Sequence, residues 1–184
     1  VRIAFVVAGA FAAVVAIAGI PLYVLPALDE PSSTDVVYVI GPPTEARLDV
    51  AREFVEDGLT GAVMISLDPD ESERWEAAAA VCDGAWQDDP ATADAEVICA
   101  KPEPFTTRGE ARELEREMAA HGWESAAVVT IRPHVSRARM IIERCEVGEL
   151  SMVDSGESLH PWYWAYHYAY QSAGFVKAGV LSGC

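Results

Sequence analysis

Basic residues are scarce in this 184-residue chain: 13 Lys and Arg stand against 29 Asp and Glu, a net charge of −16. That balance excludes nucleic acid as a partner, because phosphate backbones are met by Lys and Arg. It also excludes broad electrostatic attachment to anionic lipid. An anionic ligand would have to find a local cluster of positive groups on an otherwise acidic surface. None of the four cysteines, Cys82, Cys99, Cys145 and Cys184, forms a CxxC pair. A zinc knuckle or a thioredoxin-type site is therefore disfavoured. No internal repeat and no cofactor signature is visible, and no set of metal ligands is assigned. Most conspicuous, the run from Ile3 to Leu25 contains no charged residue at all.

As a helix, a run of roughly 23 residues would extend about 34 Å, enough to cross a hydrocarbon core. Gly9, Gly19 and Pro21 fall inside it, and transmembrane helices tolerate such residues. The segment reads as an uncleaved anchor over residues 1–25. A signal peptide cut after Ala16-Ile17-Ala18 is the alternative. The apolar run continues past that site through Ile20 and Leu25, which favours the anchor. Arg2 precedes the segment while Asp29, Glu30 and Asp35 follow it, so the body of the chain is expected outside the cytoplasm. An even number of cysteines suits an exported domain with two disulfides. The spacing suggests Cys82 with Cys99 and Cys145 with Cys184, against the alternative of four buried thiols.

Residues 26–35 (PALDEPSSTD) are polar and hold two prolines, as a linker would. From residue 36 to 184, strand and helix signals alternate. Strands are expected at Val36 to Ile40, Ala62 to Leu67, Glu96 to Ala100, Ser125 to Ile131 and Glu149 to Val153. Helices are expected at Glu45 to Asp57, Glu71 to Val81, from Thr107 to Gly122, from Pro133 through Cys145, and at Pro161 to Leu181. This alternation predicts an α/β sandwich with a mainly parallel sheet. Right-handed crossovers then bring the strand-to-helix loops to one edge, the default binding site of such a sheet.

Four loops should meet there. Gly41-Pro42-Pro43-Thr44 has a glycine that could let a phosphate approach the backbone, but two prolines remove the N–H donors. Asp68 and Asp70 offer only carboxylates and read as a solvated acidic turn that starts a helix, with a site for a hard metal such as Mg²⁺ or Ca²⁺ as the alternative. In the third loop Thr107 and Glu110 fit a capping box. Arg108 sits beside them in the first helical turn, where a cation opposes the helix dipole unless an anion offsets it. The fourth loop places Thr130, His134 and Arg137 at a strand-to-helix junction, with His134 and Arg137 three apart on one face. The final helix carries Trp162, Tyr163, Trp164, Tyr166, His167, Tyr168 and Tyr170, a density of rings expected to pack onto the sheet with polar tips at the rim; sitting at the membrane surface or stacking on a sugar or base are the alternatives.

The succession PFTTRGEAR (104–112), HGW (121–123), VVT (128–130) and HVSRAR (134–139) resembles the YdcF/SanA/ElyC-like family, and most closely its actinobacterial, membrane-anchored members. The resemblance covers Asp35 to the C-terminus. It implies a Rossmann-like three-layer domain behind one N-terminal transmembrane helix, placed at the cell membrane and facing the extracytoplasmic side. It further implies a role in envelope integrity or in handling lipid-linked glycan carriers; one member is associated with S-adenosylmethionine. The positions it carries over are Thr107, Arg108, Glu110, Thr130, His134 and Arg137, with His134 as the catalytic candidate; Gly41, after the first strand, is a further ligand candidate from the residues alone. The chain departs from the family at Gly41-Pro42-Pro43 and Ser66-Leu67-Asp68, where a Gly-rich loop and a Ser-Gly turn are expected. Three functions are open on these grounds: an enzyme acting on a phosphate-bearing envelope metabolite, a non-catalytic anion-binding module, and an interaction scaffold using the aromatic helix.

Overall fold

The computed structural model describes residues 2–181 and 183–184, with side chains at positions 6, 7, 9, 10 and from 13 onward. Its five strands are β1 (Val36–Val39), β2 (Ala62–Ser66), β3 (Glu96–Ala100), β4 (Ser125–Thr130) and β5 (Glu149–Asp154). Its helices are α1 (Arg2–Gly19), α2 (Glu45–Glu56), α3 (Glu76–Cys82), α4 (Thr107–His121), α5 (Val135–Ile142) and α6 (Pro161–Val180). The strands form one parallel sheet in the order β3-β2-β1-β4-β5.

β1 and β2 are buried on both faces, which is why they read as unbroken apolar runs rather than alternating ones. Val37, Val39, Val63 and Ile65 face α2 and α3 through Leu48, Phe54 and Val81. Tyr38, Met64 and Val128 face α4 and α5 through Leu114, Met118 and Ile142. Helices on both faces of a parallel sheet make a three-layer, Rossmann-like α/β sandwich. The strand order reverses between β1 and β4, and the crevice beyond their carboxyl ends is where such sheets hold ligands.

Three boundaries differ from expectation. The helix anticipated from Glu71 begins at Glu76; Asp68 instead accepts from the Asp70 N–H (3.1 Å) and starts a 3-10 turn over Pro69–Glu71. The helix anticipated from Pro133 starts as a 3-10 turn (Arg132–His134), and α5 ends at Ile142, before Cys145. The N-terminal run is not one continuous α-helix, because α1 stops at Gly19 and Pro21 lies in a π-helical turn over Ile20–Val24. Among the described residues no helix is long and apolar enough to cross a membrane. The side chains of 2–5, 8, 11 and 12, including Arg2 on which the expected orientation rests, lie outside the described residues.

The expected linker, 26–35, has no helix or strand but is stitched to the sheet. Asp29 Oδ2 accepts from Arg139 (2.6 Å) and from the Met152 N–H (2.8 Å). Asp35 Oδ2 accepts from the N–H groups of Glu124 and Ser125 (2.8 and 2.9 Å), and these bonds hold its carboxyl below the usual range.

The four cysteines form two disulfides, Cys82–Cys99 and Cys145–Cys184, with no thiol left free. The first joins the end of α3 to β3, and the second holds the C-terminal residue against the turn after α5. They close loops of 17 and 39 residues. Chain-entropy arithmetic gives about 3 and about 4 kcal/mol for loops of these lengths. Replacing Cys145 and Cys184 by Ser is expected to lower the unfolding free energy in urea more than replacing Cys82 and Cys99, by several tenths of a kcal/mol on the same relation.

Candidate functional site

A cavity of about 730 Å³ opens at the β1/β4 crevice and is roofed by α6. Its walls include Gly41, Thr107, Glu110, His134, Arg137 and Gln171. Five of the chain's 13 basic residues line it (Arg47, Arg74, Arg108, Arg137 and Lys177), against only Glu71 and Glu110 of its 29 acidic ones. The cavity is therefore a cationic interior within an anionic molecule. Arg108, His134 and Arg137, expected to come together, all line this space.

The third loop works differently from the expected capping box. Thr106, not Thr107, is the N-cap of α4, and its Oγ1 accepts from the Gly109 N–H (3.3 Å). That frees Thr107, whose hydroxyl lies 3.4 Å from His134 Nε2. Glu110 turns inward instead of back toward the cap. Its Oε1 accepts from the Gly41 N–H at 2.6 Å, tying the start of α4 to the end of β1. Burial raises the Glu110 carboxyl above its ordinary value, against the lowering effects of the Gly41 N–H, Arg47 and Arg137. Gly41 thus lines the cavity with its amide already committed, and it is not a free phosphate donor. Arg108 donates to the Leu181 carbonyl just beyond α6.

At the fourth loop, His134 is the last residue of the 3-10 turn and Arg137 lies in the first turn of α5. Arg137 Nη2 approaches His134 Nε2 at 3.5 Å, while its Nε donates to Gln171 Oε1 at 2.6 Å. A guanidinium only donates, so the Arg137 contact suits the tautomer in which Nε2 accepts; Nδ1 is buried without a partner. Burial first, then the charges of Arg137 and Arg47, hold His134 well below the usual histidine range. The imidazole is neutral, with a lone pair directed toward Thr107 and Arg137. Burial also lowers Arg137. Among the described residues no carboxylate forms an ion pair with it. Its side chain runs beneath α6 at Gly174, where a Cβ would come within 2.7 Å of Arg137 Cδ. The ring of Tyr170 covers the guanidinium, with 5.7 Å from Cζ to the ring centre.

Thr130 does not join this group. It ends β4, is fully buried, and its hydroxyl is without a partner away from the cavity wall. Ser66, at the second expected loop, is likewise buried. Asp68 and Asp70 pair with Lys101 (2.9 and 3.6 Å) outside the cavity. Among the described residues the one cluster with metal-ligand character is Glu115, Cys145 and Cys184, and both of its sulfurs are joined in a disulfide.

Two contributors escaped the sequence reading. Arg47 is 2% exposed, donates to the Ile40 carbonyl (2.9 Å) and pairs with Glu157 (2.9 Å). Its signal was present: it shares the buried stripe of α2 with Leu48, Ala51 and Phe54, where a cation is out of place. The inner face of α6 supplies His167, Gln171 and Lys177. The aromatic rings of that helix obscured it, because they were expected to pack on the sheet. Instead Trp162, Tyr163, Tyr166 and Tyr170 are between 51% and 77% exposed.

No protein-family model matches the chain, and neither curated proteins nor solved structures yield a match.

The depressed His134 sets an expected pH dependence. Below about pH 6.5 the unfolded chain takes up a proton that the fold refuses, so stability falls on acidification with a slope approaching 1.4 kcal/mol per pH unit, and the effect is absent above that pH. The raised Glu110 carboxyl acts in the opposite sense at lower pH. The difference between wild type and His134→Gln isolates the histidine. Urea unfolding between pH 7.5 and 5.5 is expected to show a steeper acid loss in the wild type than in the variant.

Proposed function

We propose that this chain is a membrane-anchored, extracytoplasmic domain of the cell envelope that binds and processes a phosphate-bearing metabolite, with a lipid-linked saccharide or a nucleotide-like compound as the candidate class. The observation that carries the reading is Arg137: a half-buried guanidinium, without an ion-pair partner among the described residues, in a cavity at the strand-order reversal of a parallel sheet. Such a charge is costly to hold unless an anion joins it. A phosphate suits the guanidinium fork of Arg137, and Arg108 and Lys177 add positive charge to the same cavity lining.

In this reading the neutral His134 acts as the base. Its Nε2 takes the proton of an attacking water or hydroxyl as the new P–O bond forms and the ester P–O bond breaks. The Thr107 hydroxyl orients the attacking group. The motifs 104–112 and 134–139 support placement with the YdcF/SanA/ElyC-like family, and the apolar α1 with two disulfides supports an anchored location outside the reducing cytoplasm. A second reading, an anion-binding module without turnover, is favoured by one feature: the Gly41 N–H is committed to Glu110, and Pro42 and Pro43 offer none, so the first loop supplies no donor to a developing charge.

Titration of the detergent-solubilised chain with inorganic phosphate by calorimetry tests the proposal. Arg137→Leu is expected to weaken binding about tenfold or more, the worth of one charged hydrogen bond. His134→Gln is expected to keep phosphate affinity while abolishing hydrolysis of a chromogenic phosphomonoester. Turnover absent in the wild type with phosphate binding intact selects the module. No phosphate binding at millimolar concentration overturns both readings.

A further inference from the structure

All 29 acidic residues fall between Asp29 and Glu157. The two stretches free of them, residues 1–28 and 158–184, are far apart in the chain but pack against each other. Tyr168 donates to the Ala16 carbonyl (3.2 Å), and its ring meets that of Tyr23 edge to face. The Tyr23 and Ser172 hydroxyls share a hydrogen bond (2.9 Å), and Phe175 lies beyond them against the same Tyr23 ring. Gly19 permits this approach, since a Cβ there would lie 2.4 Å from Tyr168 Cε1. These contacts advance together along both helices. The first turns of α6 therefore point back along α1, toward its N-terminal side.

Both helices also leave apolar surface uncovered on this side. Val6, Val7, Val14 and Ile17 of α1 are exposed, as are Trp162, Tyr163, Tyr166 and Tyr170 of α6. Trp162, Tyr166 and Tyr170 stand at i, i+4 and i+8, one per turn over about 12 Å. Tyr166 stacks on Tyr170 (5.5 Å between centres), and Tyr170 in turn covers Arg137 at the cavity. Rings with an apolar body and a polar tip prefer the level of lipid headgroups. Segments without carboxylates bring no side-chain negative charge of their own to the headgroup phosphates.

We infer that α6 is an interfacial helix: its Trp162–Tyr163–Tyr166 edge seats in the headgroup region of a zwitterionic bilayer beside α1, and this seats the cavity rim at Tyr170 at the membrane surface. The inference rests on the anchored reading above and is independent of what the cavity binds. It gives the aromatic helix a partner that is a lipid surface, in place of a protein or a soluble sugar.

The full chain reconstituted into phosphatidylcholine vesicles tests it. With acyl chains brominated near the headgroup, tryptophan emission is expected to be quenched. Trp162→Phe should remove at least half of that quenching, and Trp123→Phe, at a ring that stacks on His121 away from the cavity, should leave it unchanged. Both positions are solvent-accessible enough for the fold to tolerate the change, and phosphate affinity should be the same in each variant. Chain that floats with vesicles but shows no bromolipid quenching through Trp162 overturns the inference and leaves the anchor standing. So does emission that responds to soluble saccharide instead of lipid. Chain that fails to float overturns the anchor and the inference together, while phosphate titration in detergent reports separately on the cavity.

Discussion

A parallel sheet must hide both of its faces from water, and most of this molecule follows from that constraint. β1 and β2 are buried at every position, so each face needs a helical layer, and every return from one strand to the next must cross over the sheet. The crossovers bring the strand ends and the following helices to the same edge. Because β1 and β4 are neighbours whose helices leave to opposite faces, a gap opens between them that no backbone fills. The Glu110–Gly41 hydrogen bond closes the floor of that gap, and α6 closes its top. What remains is a cavity whose chemistry is set by only a few side chains.

The electrostatics of that cavity invert those of the molecule. Arg47 is balanced by Glu157, which also accepts from Thr44 and Ser155, so its charge is largely spent on holding the loop after β5 in place. Arg137 has no such partner, and the two histidines nearby are kept neutral by burial and by the surrounding cations. A half-buried cation beside neutral imidazoles is an arrangement that an anion stabilises on entry. The acidic exterior keeps the chain soluble and leaves this interior as a selective place for negative charge.

The sheet was largely legible in the sequence because fully buried strands announce themselves as short β-branched runs, as Val36–Val39 does; the more exposed edge strand Glu96–Ala100 also falls where it was expected. The site was legible only where a charge sits at a strand-to-helix junction, as Arg108, His134 and Arg137 do. Adjacent threonines at 106 and 107 defeated the capping assignment, since either fits and the backbone decides. Arg47 was hidden in an otherwise ordinary amphipathic helix. The aromatic helix misled for a physical reason: α6 docks through Gln171, Gly174 and Ala178, whose small or flat side chains allow close approach, and so its rings are left outside.

The fastening of residues 26–35 has a mechanical meaning. A slack segment of that length would let the domain wander by about 18 Å. With Asp29 clamped to Arg139 and Met152, and Asp35 to Glu124 and Ser125, the sheet has no swivel relative to the polypeptide that leads into it. The domain behaves as a bracket rather than a buoy: its orientation is built in, and anything it meets must arrive at the one angle the bracket presents.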